Sequence, residues 1–88
     1  MEYIYPAIFH RNSDGSFTIT YPDLPGCISE GKTLSNAMHM AESALTQWIE
    51  YLADKGEEIP PASDIMELSV EDDEFTTLVQ AKTALIAM

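Results

Sequence analysis

The side chains able to do chemistry in this chain are few. There is one cysteine, there are two histidines, and fifteen carboxylates stand against four basic residues, Arg11, Lys32, Lys55 and Lys82. His10 and His39 stand at no metal-ligand spacing from each other or from Cys27, which argues against a zinc site within the chain. Cys27 follows Gly26 with no base or oxyanion donor nearby in sequence, so it reads as a small apolar packing residue rather than a nucleophile. Asp23 lies between Pro22 and Pro25 and lacks the second carboxylate that acid–base work or a metal would want. It reads as a turn residue that accepts N–H bonds from its own turn. Glu71, Asp72, Asp73 and Glu74 form an unbroken acidic run without the glycine-punctuated alternation of a calcium loop. No glycine-rich phosphate loop, catalytic triad or dinucleotide fingerprint is present. The expectation is a protein with no catalytic, metal or cofactor-binding residues, which is not an enzyme.

Recognition is then the chemistry left. A net charge of -11 repels phosphate backbones and disfavours direct nucleic-acid binding. The same charge favours a basic protein partner. The candidate contacts are Tyr51, which falls off the apolar stripe of its helix, and the acids Glu57, Glu58, Glu71, Asp72, Asp73 and Glu74.

These groups must be positioned by 88 residues, enough for one domain, 1–88, with one modest core. Residues 3–9 are aromatic and β-branched and suit a strand, with Tyr3, Tyr5, Ala7 and Phe9 on one face and Ile4, Pro6 and Ile8 on the other. Pro6 cannot donate a ladder bond, so this strand is expected at an edge or with a local irregularity. Asp14-Gly15 marks a turn, and residues 16–21 alternate as a half-buried strand, completing a β-hairpin. The stretch from Pro22 through Asp23, Leu24, Pro25 and Gly26 to Cys27 reads as a stiff corner leading to a short third strand over residues 27–31.

Thr33 then reads as an N-cap, with Asn36 where a capping box would want Glu or Gln. Leu34, Met38, Ala41, Leu45, Trp48 and Leu52 recur at helical spacing, widened by Ala37, Ala44 and Ile49, to make one apolar face. His39 falls on the polar side, Lys55 suits the negative end of the helix dipole, and Gly56 terminates the helix. Ser63 is expected to cap a short turn over residues 65–68. Glu71–Glu74 is expected to be a solvated connector, and residues 75–81 a last strand. The apolar end TALIAM has no clear partner within the chain and is expected to extend that strand, pack on the core or join two subunits. The order β-β-β-α-β gives a two-layer α+β architecture whose open sheet face another subunit could cover.

One cysteine excludes an internal disulfide and fits a reducing compartment. The N-terminus is too polar and short for a signal peptide, and no apolar run approaches the length of a membrane span. The expected location is cytoplasmic, with no membrane association.

The segment YPAIFHRNSDGSFTITYPDLPGCISEGKTLSNAMHMAESAL resembles the HicB family, the antitoxin half of HicA–HicB toxin–antitoxin pairs. The likeness rests on Tyr5-Pro6-Ala7, Asp14-Gly15, the corner Pro22–Cys27, and Gly31-x-Thr33-Leu34, and continues through Gly56 to Ile59-Pro60-Pro61. It covers roughly three-quarters of the chain. The resemblance implies a partial ribonuclease H-like (HicB-like) fold. It implies an antitoxin-like protein that binds and neutralises a small, basic, mRNA-cleaving HicA-type toxin by occluding its RNA-binding surface. It makes the proline corner scaffolding, and a homo-oligomer, dimer or tetramer, is expected with it. The alternative is a solitary small-ligand or RNA-binding module of the same fold without a toxin. Antitoxins of this family usually carry a C-terminal DNA-binding module, and none is expected within a chain that ends at Met88. Ribonuclease H enzymes need several carboxylates converging on magnesium, whereas the first strand here offers only Glu2, so two-metal catalysis is not expected.

Overall fold

The alternation in the first twenty residues becomes an antiparallel hairpin in the computed structural model, which describes residues 3–81. Strand β1 is Ile4–Arg11 and β2 is Phe17–Thr20, joined through a turn closed by the Gly15 N–H on the Asn12 carbonyl at 3.0 Å. Gly15 takes φ 88, open to glycine at no steric cost. Strand β3 is Ile28–Gly31, helix α1 is Leu34–Lys55, a single 3-10 turn occupies Ile65–Glu67, and β4 is Glu74–Gln80. The four strands form one antiparallel sheet in the order β3-β2-β1-β4. The α+β order read from the sequence is the order observed. Glu2 and the TALIAM end, residues 83–88, lie outside the described residues.

The Pro6 expectation needs correction. Strand β1 is central, and its register with β4 runs unbroken from Ile4 opposite Gln80 to His10 opposite Glu74. The hydrogen-bond phase explains how proline is accommodated. The Arg11 N–H donates to the Asp73 carbonyl and the Ala81 N–H to the Tyr3 carbonyl, so odd-numbered residues of β1 turn their backbone groups to β4 and even-numbered ones turn to β2. Pairing with β2 begins only at Ile8. Pro6 therefore lacks its N–H on the side where, among the described residues, β1 has no paired strand.

Helix α1 covers the sheet face carrying Tyr5, Ala7, Phe9, Ile19 and Val79, which form the core together with Tyr21, Leu24, Cys27 and Ala81. The helix buries the row Ala37, Ala41, Leu45 and Ile49, each one turn from the next. The expected stripe is thus rotated: Leu34 and Met38 are exposed, because the small residues Ala37 and Ala41 face the sheet and let the helix sit close. Gly31 is the other half of that fit, since a Cβ there would stand 2.3 Å from the Cα of Ala37. Phe9 stacks on Phe75 with ring centroids 5.0 Å apart, and Phe17 meets the same ring edge-on at 6.2 Å.

Both helix ends are capped as their residues dictate. The Asn36 N–H donates to the Thr33 hydroxyl at 3.1 Å, and the Lys32 N–H donates to Asn36 Oδ1 at 3.0 Å. Asparagine thus performs the reach-back of a capping box, onto the residue before the cap. Gly56 takes φ 71, and the Gly56 and Glu57 N–H groups close on Ala53 and Leu52 in a Schellman arrangement. The 3-10 turn is capped by Asp64, whose carboxylate accepts from the Met66 N–H at 2.9 Å, and not by Ser63, which is engaged elsewhere.

Replacing Gly31 by alanine forces a methyl group into the backbone of α1. We expect Gly31→Ala to destabilise the fold by about 3 kcal/mol through overpacking, read as a lower urea midpoint. Gly15→Ala, with open space around its absent side chain, is expected to cost only its backbone strain, about 1 kcal/mol.

Candidate functional site

The corner is two turns in series. The Leu24 N–H closes on the Tyr21 carbonyl at 3.0 Å with Pro22 in second position, and the Cys27 N–H closes on the Leu24 carbonyl at 3.0 Å across Pro25 and Gly26. Gly26 has φ 97, so Leu24–Cys27 is a type II turn with proline and glycine where that turn requires them. Leu24, shared by both turns, points inward and is fully buried. Gly26 also lies under the indole of Trp48: a Cβ there would stand 3.1 Å from Cη2.

Asp23 does not bond within its own turn as expected. Its carboxylate accepts the Ser63 N–H at 2.9 Å and the Ser63 hydroxyl, forty residues away. Tyr5 donates its hydroxyl to the Pro60 carbonyl close by. Burial, and secondly the charge of Asp23, raise the Tyr5 phenol above its ordinary range. These bonds dock the segment after α1 onto the corner. Tyr21 donates to the Ala41 carbonyl at 2.7 Å, and burial holds its phenol well above the usual value. Cys27 is buried, its thiol 3.8 Å from the Ala44 carbonyl, and burial pushes it up to about 11. Such a thiol is almost wholly protonated at neutral pH and makes a poor nucleophile.

Beyond the corner an open groove of about 380 Å³ runs between the start of β3 and the second half of α1, with Cys27 and Ile28 on one wall and Gln47, Trp48 and Tyr51 on the other. Its rim is apolar and exposed: Ile28 is 61% and Tyr51 50% accessible. The Trp48 and Tyr51 rings lie 6.0 Å apart, and the Lys55 ammonium stands 5.7 Å from the Tyr51 ring centre. Trp48, read from the sequence as core, is only partly buried and is the floor of this groove.

The acidic candidates do not form one patch. Strand β4 starts beside His10 and ends beside Ile4, whereas α1 starts against Gly31 and ends toward the corner. Glu57 and Glu58, just past α1, and Tyr51 lie at the corner end, and Glu71–Glu74 at the opposite end of the sheet. The acidic run is also more structured than a solvated connector. The Glu74 N–H closes on the Glu71 carbonyl, and the Glu71 N–H donates to the Glu74 carboxylate, both at 3.0 Å. His10 Nδ1 lies 3.2 Å from Glu74 and Nε2 3.6 Å from Asp73. The sequence gives no local sign of these partners of His10, because they become neighbours only once β4 pairs with β1. Among the described residues, no three His, Cys, Asp or Glu side chains gather in a way that would hold a metal ion.

The buried, protonated Cys27 gives a direct check. A disulfide reagent at pH 8 is expected to modify the native protein at least about 100-fold more slowly than the urea-unfolded chain. Equal rates would mean that the corner opens readily.

The profile of the HicB-like antitoxins of bacterial toxin–antitoxin systems matches residues 5–86. The chain is 39% identical over 62 residues to a 14.9 kDa protein from the rep–hol intergenic region of Haemophilus phage HP1, an alignment covering 70% of this chain and 46% of the phage protein. It thus spans about half the length of that relative. Its fold superimposes with a TM-score of 0.83 on a chain of a toxin–antitoxin complex from Streptococcus pneumoniae, at 24% identity, covering 93% of this chain and 70% of that one. It also superimposes with a TM-score of 0.77 on the N-terminal domain of the Burkholderia pseudomallei antitoxin HicB, at 25% identity, covering 91% and 99%. The antiparallel four-stranded sheet with one covering helix is therefore the HicB N-terminal architecture, and with the profile spanning nearly all of its residues the chain belongs to the HicB-like antitoxin family.

Proposed function

We propose that this chain binds a small, basic, mRNA-cleaving toxin of the HicA type and neutralises it by covering its RNA-binding surface. The observation that carries this reading is the family profile over residues 5–86. The charge supports it: fifteen acids against four bases leave a surface that attracts a cationic RNA-binding protein and repels RNA itself. No bond is made or broken in such a role. The partial ribonuclease H-like sheet serves as a binding scaffold, and neutralisation is competition for one basic surface. The work is done in the cytoplasm by a dimer or tetramer of the chain.

In this mechanism the two acidic ends act mainly on encounter. Asp72 and Asp73 are exposed and protrude from the turn before β4, so their field reaches a cationic partner before contact. Exposed charges of this kind raise association rates more than they lengthen the life of a complex, and salt screens them over about 8–10 Å.

The test is capture of a HicA-type toxin on the tagged chain, with its ribonuclease activity followed on an mRNA substrate. Binding with loss of cleavage supports the reading. A toxin that cleaves at full rate in the presence of excess chain overturns it. Within that system, neutralising the run as Glu71→Gln, Asp72→Asn, Asp73→Asn and Glu74→Gln is expected to slow association about 10-fold at low salt and to converge on the unmodified rate at high salt. An unchanged on-rate would remove this end of the molecule from the encounter surface.

A further inference from the structure

Strand β3 closes the sheet on one side, and the hydrogen-bond phase shows which of its backbone groups are spare. Even-numbered residues of β1 bond to β2, and the Asn12 N–H to the Ser16 carbonyl at 2.8 Å continues the same phase into the turn. Thr18 and Thr20 therefore turn to β1, Phe17 and Ile19 turn to β3, and Ser29 and Gly31 complete those pairs. Ile28 and Glu30 are left with N–H and C=O facing outward. No hydrogen bond among the described residues uses these four groups. The open stretch is bounded on both sides, because the Cys27 N–H is taken by Leu24 and the Lys32 N–H by Asn36. Directly beside this edge lies the aromatic groove of Trp48 and Tyr51.

We propose, resting on the antitoxin reading above, that the β3 edge takes an extended segment of the basic toxin as a fifth strand. The outward groups of Ile28 and Glu30 bind its main chain. Its apolar side chains enter the groove against Trp48 and Tyr51, and alternate basic side chains face Glu30. This is strand addition, in which the main chain supplies affinity and pockets for alternate side chains supply specificity. Charge chooses the occupant. A second copy of this chain paired antiparallel at this edge would set Glu30 opposite either Glu30 or the apolar Ile28 of its mate, and would join two strongly acidic molecules. A Lys or Arg opposite Glu30 instead makes a favourable cross-strand pair.

The test uses the full chain and an RNase-inactive HicA-type toxin. Hydrogen exchange at the Ile28 and Glu30 amides is expected to slow at least about 10-fold on binding. Glu30→Pro removes an N–H that bonds to nothing in the free chain, so the variant should keep its far-UV spectrum while binding the toxin at least about 10-fold more weakly, mainly through faster dissociation. Glu30→Thr, which keeps the N–H and removes the charge, should lose less. Tyr51→Ala should weaken binding without altering exchange in the free chain. Unchanged exchange at both amides together with a Glu30→Pro variant that binds within 2-fold would overturn strand addition, as would protection at Thr76 and Leu78 on the β4 edge instead. Concentration-dependent protection of Ile28 and Glu30 in the free chain would assign the edge to a second copy. If the unmodified chain binds no HicA-type toxin, the antitoxin reading itself falls and this one with it. Binding without protection at β3 removes only the strand addition.

Discussion

The rest of the structure depends on how closely α1 lies on the sheet. At its first turn the helix backbone rests on the bare Cα of Gly31, with Ala37 as the contact. At its middle the Tyr21 hydroxyl holds the Ala41 carbonyl, and further along Trp48 lies on Gly26. The inward row grows from alanine to leucine and isoleucine along the helix, so the gap between the layers widens toward the corner. Strand β3 has only four residues and could not hold its place by ladder bonds alone. Its position beside Trp48 and Tyr51 is set by the helix seated over it. Interior packing transmits such a constraint with little slack.

The segment between α1 and β4 is held differently. It buries few large side chains, and its attachment is polar: Tyr5 to Pro60, Asp23 to Ser63, and the turn at Glu71–Glu74 leaning on His10. Polar bonds at a partly exposed surface each contribute about 1 kcal/mol, so this connector is fixed by geometry more than by burial. The two acidic ends of the molecule stand where those polar attachments are. The groove and the β3 edge stand where α1 is seated on the sheet, with Gly31 against Ala37 and Gly26 against Trp48. A steering surface and a docking surface thus fall on parts of the fold with different physical support.

What was legible in the sequence was local. The hairpin, the Thr33 cap, the Gly56 stop and the proline corner each depend on residues within a few positions, and each formed as its chemistry requires. The misreadings share one cause, which is long-range structure. Pro6 sits in a central strand because β2 happens to end before reaching it. Leu34 and Met38 lost the sheet to Ala37 and Ala41 because a closer approach favoured small residues, a choice that hydrophobicity alone reverses. Asp23 found its partner forty residues away, and His10 found Asp73 and Glu74 across a strand pair. The exposed face of the groove was hidden for the same reason, since Ile28 reads as one more apolar strand residue until β3 is known to be the edge.

The placing of β1 between β2 and β4 has a consequence for how the chain reaches its native state. One neighbour of β1 is the next strand along, while the other pairs His10 with Glu74, sixty-four residues distant. Loop entropy grows slowly with length, so closing the long loop costs only roughly 2 kcal/mol more than closing the hairpin. Contacts that distant nevertheless form slowly, and helix and hairpin precede them. During synthesis the sheet waits for β4, Glu74–Gln80, before its first strand has both partners. Until then β1 presents a free, largely apolar edge, and the stretch most exposed to mispairing is the one that finally lies at the centre.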